Sequence, residues 1–331
     1  MSDFGSQTTT DEVLEGVDLT GRRVLVTGAA VGLGRETARA LAAHGAEVTI
    51  LARSAERAAE GVDAVAASVP DAAARLHAGV VDLGDLASVR AFADGWLAEH
   101  GAADVLINNA GVMACPFGHT ADGFETQFGT NHLGHFLLTA LLLPALLRGD
   151  EPRVVTLSSA GHSRCDVDLD DPGFERTEYS AWDAYGRSKS ANALFARELA
   201  RRYGAQGLHS YSVHPGAIIT DLGRHLTEEL MNEMMETAKE RAEEHGAPAG
   251  DGAGGITWKS VEAGAATQVW GATSDDPELL AHNGAYLADC GLGVLGANPG
   301  ENGMAPWILD DAKAAALWDL SERLVGVPAG P

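Results

Sequence analysis

The segment from Arg22 to His44 constrains this chain more than any other. Arg22-Arg23-Val24-Leu25-Val26 has the apolar run of a buried strand. Thr27-Gly28-Ala29-Ala30-Val31-Gly32-Leu33-Gly34 follows as a turn, and the Ala-rich stretch from Glu36 to His44 reads as a helix. Strand, glycine-rich turn and helix in that order is the context a phosphate-binding turn requires. Gly28 permits the tight turn, while Gly32 and Gly34 let the backbone approach a pyrophosphate and pack on the strand. The helix N-terminus then offers free N–H groups and a positive dipole end to phosphates. A glycine-rich loop in a chain with 40 glycines is the bland alternative. The flanking strand and helix favour the nucleotide.

The same alternation continues to the end of the chain. Strands are predicted near 22–27, 47–52, 76–81, 103–108, 152–158, 208–214 and 284–288. Helices are predicted near 33–44, 55–67, 86–99, 122–147, 182–203, 226–245, 261–273 and 311–325. This pattern predicts one α/β domain over residues 18–331, a doubly wound parallel sheet of about seven strands with helices on both faces. Right-handed crossovers would place a cofactor over the carboxyl ends of the strands. Residues 1–17 are polar and read as a surface arm; 246–255 read as a flexible linker.

The chemistry is carried by Tyr185-Gly186-Arg187-Ser188-Lys189, downstream of Ser158-Ser159. Tyr and Lys four positions apart share one helix face. An ammonium beside a phenol stabilises the phenolate, so the Tyr185 pKa is expected to fall from about 10 toward neutral. Such a phenol is a general acid/base for a hydroxyl proton.

Together these segments resemble the short-chain dehydrogenase/reductase family, over Leu19 to about Asp221 and more loosely to Arg323. The spacing of Thr27 to Gly34, TGxxxGxG rather than GxGxxG, carries the resemblance. So do Asp82-Leu83, Asn108-Asn109-Ala110-Gly111, Asn131 within Gly129-Thr130-Asn131-His132-Leu133-Gly134-His135-Phe136, Ser159, and Tyr185 and Lys189 at 26 and 30 residues beyond it. Pro215-Gly216 and Thr220 match the turn that flanks the nicotinamide. Asn131-His132-Leu133-Gly134-His135-Phe136, Glu262 to Thr267 and Ala315 to Arg323 are closest to the branch of retinol dehydrogenases and WW-domain oxidoreductases. Thr9 to Leu14 also looks like that branch, and no WW module is expected.

The resemblance implies a Rossmann-type fold and a catalytic set of Asn131, Ser159, Tyr185 and Lys189. It implies cofactor contacts from Thr27, Gly28, Gly32, Leu33, Gly34, Arg53, Asp82, Leu83, Asn109, Ala110, Gly111, Tyr185, Lys189, Pro215, Gly216 and Thr220. Tyr185 would exchange the proton, Ser159 would position the substrate oxygen, and Lys189 would lower the phenol's pKa and bind the nicotinamide ribose. Asn131 would interrupt its helix and hold a water linking Lys189 to solvent. The reaction expected is hydride transfer between nicotinamide and a carbonyl or alcohol. Reduction of a conjugated carbon–carbon double bond is the alternative enzyme, and a cofactor-binding scaffold without turnover the alternative class.

NADP(H) is the preferred cofactor and NAD(H) the alternative. NAD-selective sites place Asp or Glu after the second strand to bind the ribose 2′-hydroxyl. Here Val48-Thr49-Ile50-Leu51-Ala52-Arg53 puts Ala52 in that place, followed by Arg53. A guanidinium can pair with a 2′-phosphate, and Arg35 could assist. The substrate is expected to be a hydrophobic alcohol or ketone. Met113, His162, Cys165, Trp182, Ile218 and Met231 are candidate pocket walls, and the methionine-bearing stretch near 221–256 a lid.

Net charge is −24, which repels nucleic acid and anionic membranes. The apolar run from Phe136 to Leu147 is broken by Thr139 and Pro144, short of the roughly 20 residues a bilayer needs. Residues 1–10 lack the apolar core of a signal peptide. Cys115, Cys165 and Cys290 have neither pairing nor metal spacing, and His132 and His135 are expected to pack rather than ligate. A cytoplasmic enzyme without metal is expected, as a homodimer or homotetramer.

Overall fold

The computed structural model describes residues 4–246 and 256–327. Eight strands form one sheet in the order β3-β2-β1-β4-β5-β6-β7-β8. They are β1 (Arg23–Thr27), β2 (Glu47–Ala52), β3 (Leu76–Val80), β4 (Val105–Asn108), β5 (Arg153–Leu157), β6 (His209–His214), β7 (Tyr286–Ala288) and β8 (Gly291–Leu292). The first seven run parallel, in registers such as Val26 opposite both Ile50 and Ile107. The eighth is the correction to about seven: two residues fold back antiparallel on β7. Such a strand has no periodic pattern to betray it. A two-stranded pair, β9 (Val294–Leu295) and β10 (Gly303–Met304), stands apart.

Among the described residues eleven α-helices flank the strands: α1 (Thr10–Val13), α2 (Gly32–Ala43), α3 (Ala55–Ser68), α4 (Leu86–Glu99), α5 (Thr126–Phe128), α6 (Gly134–Leu146), α7 (Ala181–Tyr203), α8 (Glu228–Glu244), α9 (Val261–Thr273), α10 (Pro277–Ala281) and α11 (Asp311–Val325). Central strands are buried on both faces, which is why β1, β4 and β5 read as continuous apolar runs. Leu41 of α2 and Val269 and Trp270 of α9 cover one face. Val89 of α4, Leu137 of α6, Phe195 of α7 and Trp318 of α11 cover the other.

Part of the expected N-terminal arm is packed structure. Thr9 and Glu12 form a capping box for α1. Thr10 and Leu14 are fully buried, and the Thr10 hydroxyl donates to Glu36 Oε1 on α2 at 2.5 Å. The expected linker lies, after Gly246, outside the described residues.

Strand order reverses between β1 and β4. The chain steps outward from β1 to β2 and β3, then returns from β3 to β4 on the other side of β1, so a crevice opens above the carboxyl ends of β1 and β4. Thr27, Asn108, Leu157 and His214 end the four strands around it.

Candidate active site

The glycine turn is fixed from behind. The Thr27 Oγ1 accepts from the Asn109 and Ala110 amides at 2.9 and 3.0 Å. It also meets His135 Nε2 at 2.9 Å, and His135 Nδ1 meets the Asn131 carbonyl at 2.9 Å. A carbonyl only accepts, so Nδ1 carries the proton and the Thr27 hydroxyl donates to Nε2. Burial pushes the His135 pKa down to about 4, which keeps that tautomer neutral. Thr27 was expected to touch the cofactor. Its hydroxyl is instead spent on this network, which joins the turn to the end of β4.

Gly28 has φ +66°, and a Cβ there would come within 2.9 Å of Ala110 Cα. A Cβ on Gly34 would meet Asn109 Nδ2 at 2.5 Å. Both positions exclude a side chain. Thr220, nearly 200 residues away, brings its methyl to 3.6 Å from the Cβ position of Gly32.

The start of α2 differs from that of six other long helices; α6, which continues directly from the helical turn before it, has no side-chain cap either. Ser54, Asp85, Ser180, Thr227, Ser260 and Asp310 cap α3, α4, α7, α8, α9 and α11 with side-chain oxygens. The N-cap of α2 is Val31, which makes no such bond, and its first turn carries no acidic residue. Its first amides therefore lack a side-chain acceptor and carry the positive end of the dipole. A glycine cradle with free amides fits the pyrophosphate of a dinucleotide.

A cavity of about 460 Å³ runs from Leu33, Asn109 and Gly111 to Ser159, Tyr185 and Lys189, and on to Thr220. Ser159 follows β5, and its Oγ accepts from the Gly161 amide at 3.1 Å. The Tyr185 ring packs on Gly161, where any Cβ would lie 2.9 Å from it. Asn131 lies in a π-helical segment, Gly129–Leu133, between α5 and α6. Its Oδ1 accepts from the Val112 amide at 2.8 Å, and its Nδ2 donates to the Val112 carbonyl at 2.9 Å and to Ser188 Oγ at 3.0 Å. A wider helical turn is what lets this side chain hold a neighbouring backbone strand.

The expected electrostatics of the tyrosine–lysine pair needs correction. Lys189 Nζ lies 5.5 Å from the centre of the Tyr185 ring and donates to the Leu157 carbonyl at 2.9 Å. It does not touch the phenol oxygen. Burial raises the Tyr185 pKa to about 12, an effect partly offset by the Ser159 hydroxyl beside it. Burial also lowers Lys189 to about 7. In the protein by itself both groups are held toward their neutral forms.

Other expected residues divide into two groups. Met113, Trp182, Ile218 and Met231 line the cavity as expected of pocket walls; Pro215, Gly216 and Thr220, expected as cofactor contacts, line the same cavity. His162 and Cys165 do not. His162 is buried behind the wall, bonded to the Ser159 carbonyl at 2.6 Å and to the Ala305 amide at 3.1 Å. Cys165 bonds the Asp183 carbonyl. Arg53 and Asp82 are exposed just beyond the ends of β2 and β3, whereas Leu83 is buried in the core. Arg53 has no hydrogen-bond or ion-pair partner among the described residues, so its guanidinium is available to a ligand. Arg35 shares that state at the glycine turn. Helix α8 closes the cavity with Met231 and Met234, tied down by Trp182 Nε1 to the Leu230 carbonyl at 3.2 Å.

His214 was missed. Its Nδ1 accepts from the Ala160 and Gly216 amides at 3.2 and 3.4 Å, so it clips the loop after β5 to the turn after β6. The adjacent Pro215-Gly216 was the only signal that could have found it. No group of histidine, cysteine or acidic residues that could hold a metal occurs among the described residues. Nor is any helix there long and apolar enough to cross a membrane.

The chain is similar to known proteins in sequence and in fold. The sequence model for short chain dehydrogenase matches residues 22–231. A probable oxidoreductase of Streptomyces lividans is 40% identical over 92% of this chain and 97% of its own. Human retinol dehydrogenases 12 and 14 are 37% and 38% identical, covering 94% and 93% of this chain and 88% and 87% of theirs. A crystal structure of an uncharacterised protein from Mycobacterium paratuberculosis superimposes with TM-score 0.66 at 36% identity, over 93% of this chain and 95% of that one.

Proposed function

The chain belongs to the short-chain dehydrogenase/reductase family, in the retinol dehydrogenase branch, and we propose that it is an NADP(H)-dependent enzyme interconverting a carbonyl and an alcohol on a hydrophobic small molecule. The observation that carries this reading is the placing of Ser159, Tyr185 and Lys189 side by side in the wall of a largely apolar cavity that reaches the glycine turn.

A bound nicotinamide dinucleotide would supply or accept the hydride. Gly28, Gly32, Gly34 and the free amides of α2 would hold its pyrophosphate, Arg53 and Arg35 its 2′-phosphate, and Asn109 to Gly111, Lys189 and Pro215 to Thr220 its nicotinamide half. Tyr185 holds a proton on Oη and gives it to the substrate oxygen in reduction. As phenolate it takes the proton from the alcohol in oxidation. Ser159 hydrogen-bonds the same oxygen and fixes its position, which removes orientational freedom before reaction. Lys189 brings positive charge beneath the site whenever it is protonated. Asn131 braces the loop at Val112 that carries Gly111 and Met113 along the cavity. The apolar walls from Met113, Trp182, Ile218, Met231 and Met234 exclude water and select an apolar body. The human retinol dehydrogenases in the same branch act, by name, on such a molecule.

The test is NADPH oxidation, followed by absorbance, against a panel of apolar ketones, aldehydes and conjugated alkenes. Turnover of carbonyls is the expected result. Turnover confined to alkenes, or tight NADPH binding without turnover, would remove the proposal. For the cofactor, Arg53→Ala is expected to raise the KM for NADPH by about ten- to a hundredfold, the worth of a charge-assisted contact. The KM for NADH should hardly move. Equal or better efficiency with NADH, unaltered by this substitution, would refute the preference.

A further inference from the structure

Among the described residues, one lysine and two arginines line the cavity: Lys189, Arg164 and Arg241. Lys189 is committed to the Leu157 carbonyl. Arg164 is paired twice, with Asp183 at 2.5 Å and with Glu233 at 2.7 Å. Arg241, on the third turn of α8 beyond Met231, has no ion-pair or hydrogen-bond partner for its guanidinium among the described residues. Arg35 and Arg53 also lack partners but are exposed, whereas Arg241 is half-buried, in a chain with 47 acidic residues and 23 basic ones. Arg22, Arg39, Arg153, Arg197, Arg201 and Arg202 all lie against carboxylates.

The position of Arg241 is specific. It sits on the lid among Met234, Ala238 and Ala242, facing a wall that is mostly apolar. The charges felt at this guanidinium are Arg164, which repels it, and Glu244, which attracts it; among the described residues Glu301 is the one carboxylate of the cavity wall. Its charge also acts on His162, directly behind Ser159. Arg164, five residues after Ser159, reaches α8 at Glu233, two turns before Arg241, so Arg241 shares the side of the cavity formed by α8 and the segment after Ser159. A partly buried guanidinium without a partner has lost water without replacing it. A ligand anion would restore what it lost, through two parallel charge-assisted bonds.

We propose that the substrate carries an anionic group, most simply a carboxylate, on an apolar body, and that Arg241 receives it when α8 covers the site. The inference rests on the carbonyl–alcohol reading and narrows it from hydrophobic ketones to hydrophobic oxo or hydroxy acids. The lid then serves recognition as well as exclusion of water: its methionines grip the chain and its arginine reads the far end.

The experiment compares matched pairs, each an aliphatic oxo acid and its methyl ester at several chain lengths, in wild type, Arg241→Gln and Arg241→Lys. Calorimetric binding of decanoate and of decanol to the same NADPH-loaded proteins runs alongside. Wild type is expected to favour the acid over the ester by about ten- to a hundredfold in kcat/KM, chiefly through KM. Arg241→Gln should bring that ratio close to one, and Arg241→Lys should restore part of it. The ratio is internal to each protein, so a partial loss of folded enzyme cancels. Ester turnover with no preference for the acid at any chain length overturns the Arg241 proposal and leaves the oxidoreductase intact. An Arg241-dependent preference for decanoate without turnover of any carbonyl supports the anion site and overturns the reaction. Equal binding of decanoate and decanol, or binding of neither, overturns the anion site.

Discussion

Replacing Tyr185 with Phe is expected to lower kcat for ketone reduction by about 10²- to 10⁴-fold, the usual worth of a positioned proton donor. The loss should fall on kcat and not on NADPH affinity, because the phenol acts on the reacting oxygen alone. The substitution is clean in packing terms. The ring is buried, wedged against Gly161 and at 6.1 Å, edge-on, from Trp182. Phe keeps those contacts and removes only Oη, so thermal stability should stay close to wild type. The pH dependence supplies a second readout. With its pKa raised to about 12, Tyr185 is protonated at neutral pH and ready to act as the acid. Reduction should therefore show no loss traceable to Tyr185 until strongly alkaline pH. Oxidation needs the phenolate, so its rate should climb about tenfold per pH unit until the phenol titrates. Steady-state kinetics in both directions across pH, NADPH affinity from fluorescence titration and a thermal melt check these statements. Activity of Tyr185→Phe within tenfold of wild type would overturn the acid/base assignment.

The parts of this site that were legible in the sequence share one property: each is local. The turn at Thr27 to Gly34 is announced by its own glycines and by the strand and helix beside it. The helices expected from 86, 261 and 311 begin at those residues, where Asp85, Ser260 and Asp310 cap α4, α9 and α11. What was hidden depends on distant partners. The helix expected over 122–147 begins only at Thr126, where the Glu125 carboxylate caps it. In its π-helical segment Asn131 bonds the backbone of Val112, 19 residues earlier. Apolar spacing cannot reveal that bond. Helix α1 offered only Val13 and Leu14 as apolar residues, and its burial comes from docking on α2 and α9. His214 looks like an ordinary strand residue until Ala160 and Gly216 are brought to it. The tyrosine–lysine pair shows the limit most sharply. Four-residue spacing correctly placed both side chains on one helix face, yet it could not say that the ammonium turns to the Leu157 carbonyl.

Lys189→Met is expected to reduce activity by about 10²-fold or more and, at the same time, to make the cofactor-free protein more stable near neutral pH. The two effects have one cause. Lys189 is buried, and burial alone lowers its pKa from 10.5 to about 7. Between these values the unfolded chain holds a proton that the folded chain has released, so stability rises with pH from about 7 toward 10.5. Below about 7 the folded protein carries a buried ammonium, and it is there that removing the charge stabilises most. Methionine fills similar volume, and it leaves no orphaned acceptor, since the Asn192 Nδ2 also donates to the Leu157 carbonyl at 2.9 Å. The window for measurement follows from other groups. The cysteine thiols, pushed by burial to about 11, begin to cost stability once unfolded thiols ionise near 8.5. Between pH 7 and 8.5, wild type should gain roughly 1.5 kcal/mol relative to Lys189→Met in urea unfolding. Parallel pH profiles for the two proteins would show that the amine is not desolvated as its surroundings imply. A site that sacrifices stability to keep a charge beneath its reacting centre is what a proton-transfer enzyme requires, and the loss of both properties in one substitution would tie the chemistry to Lys189.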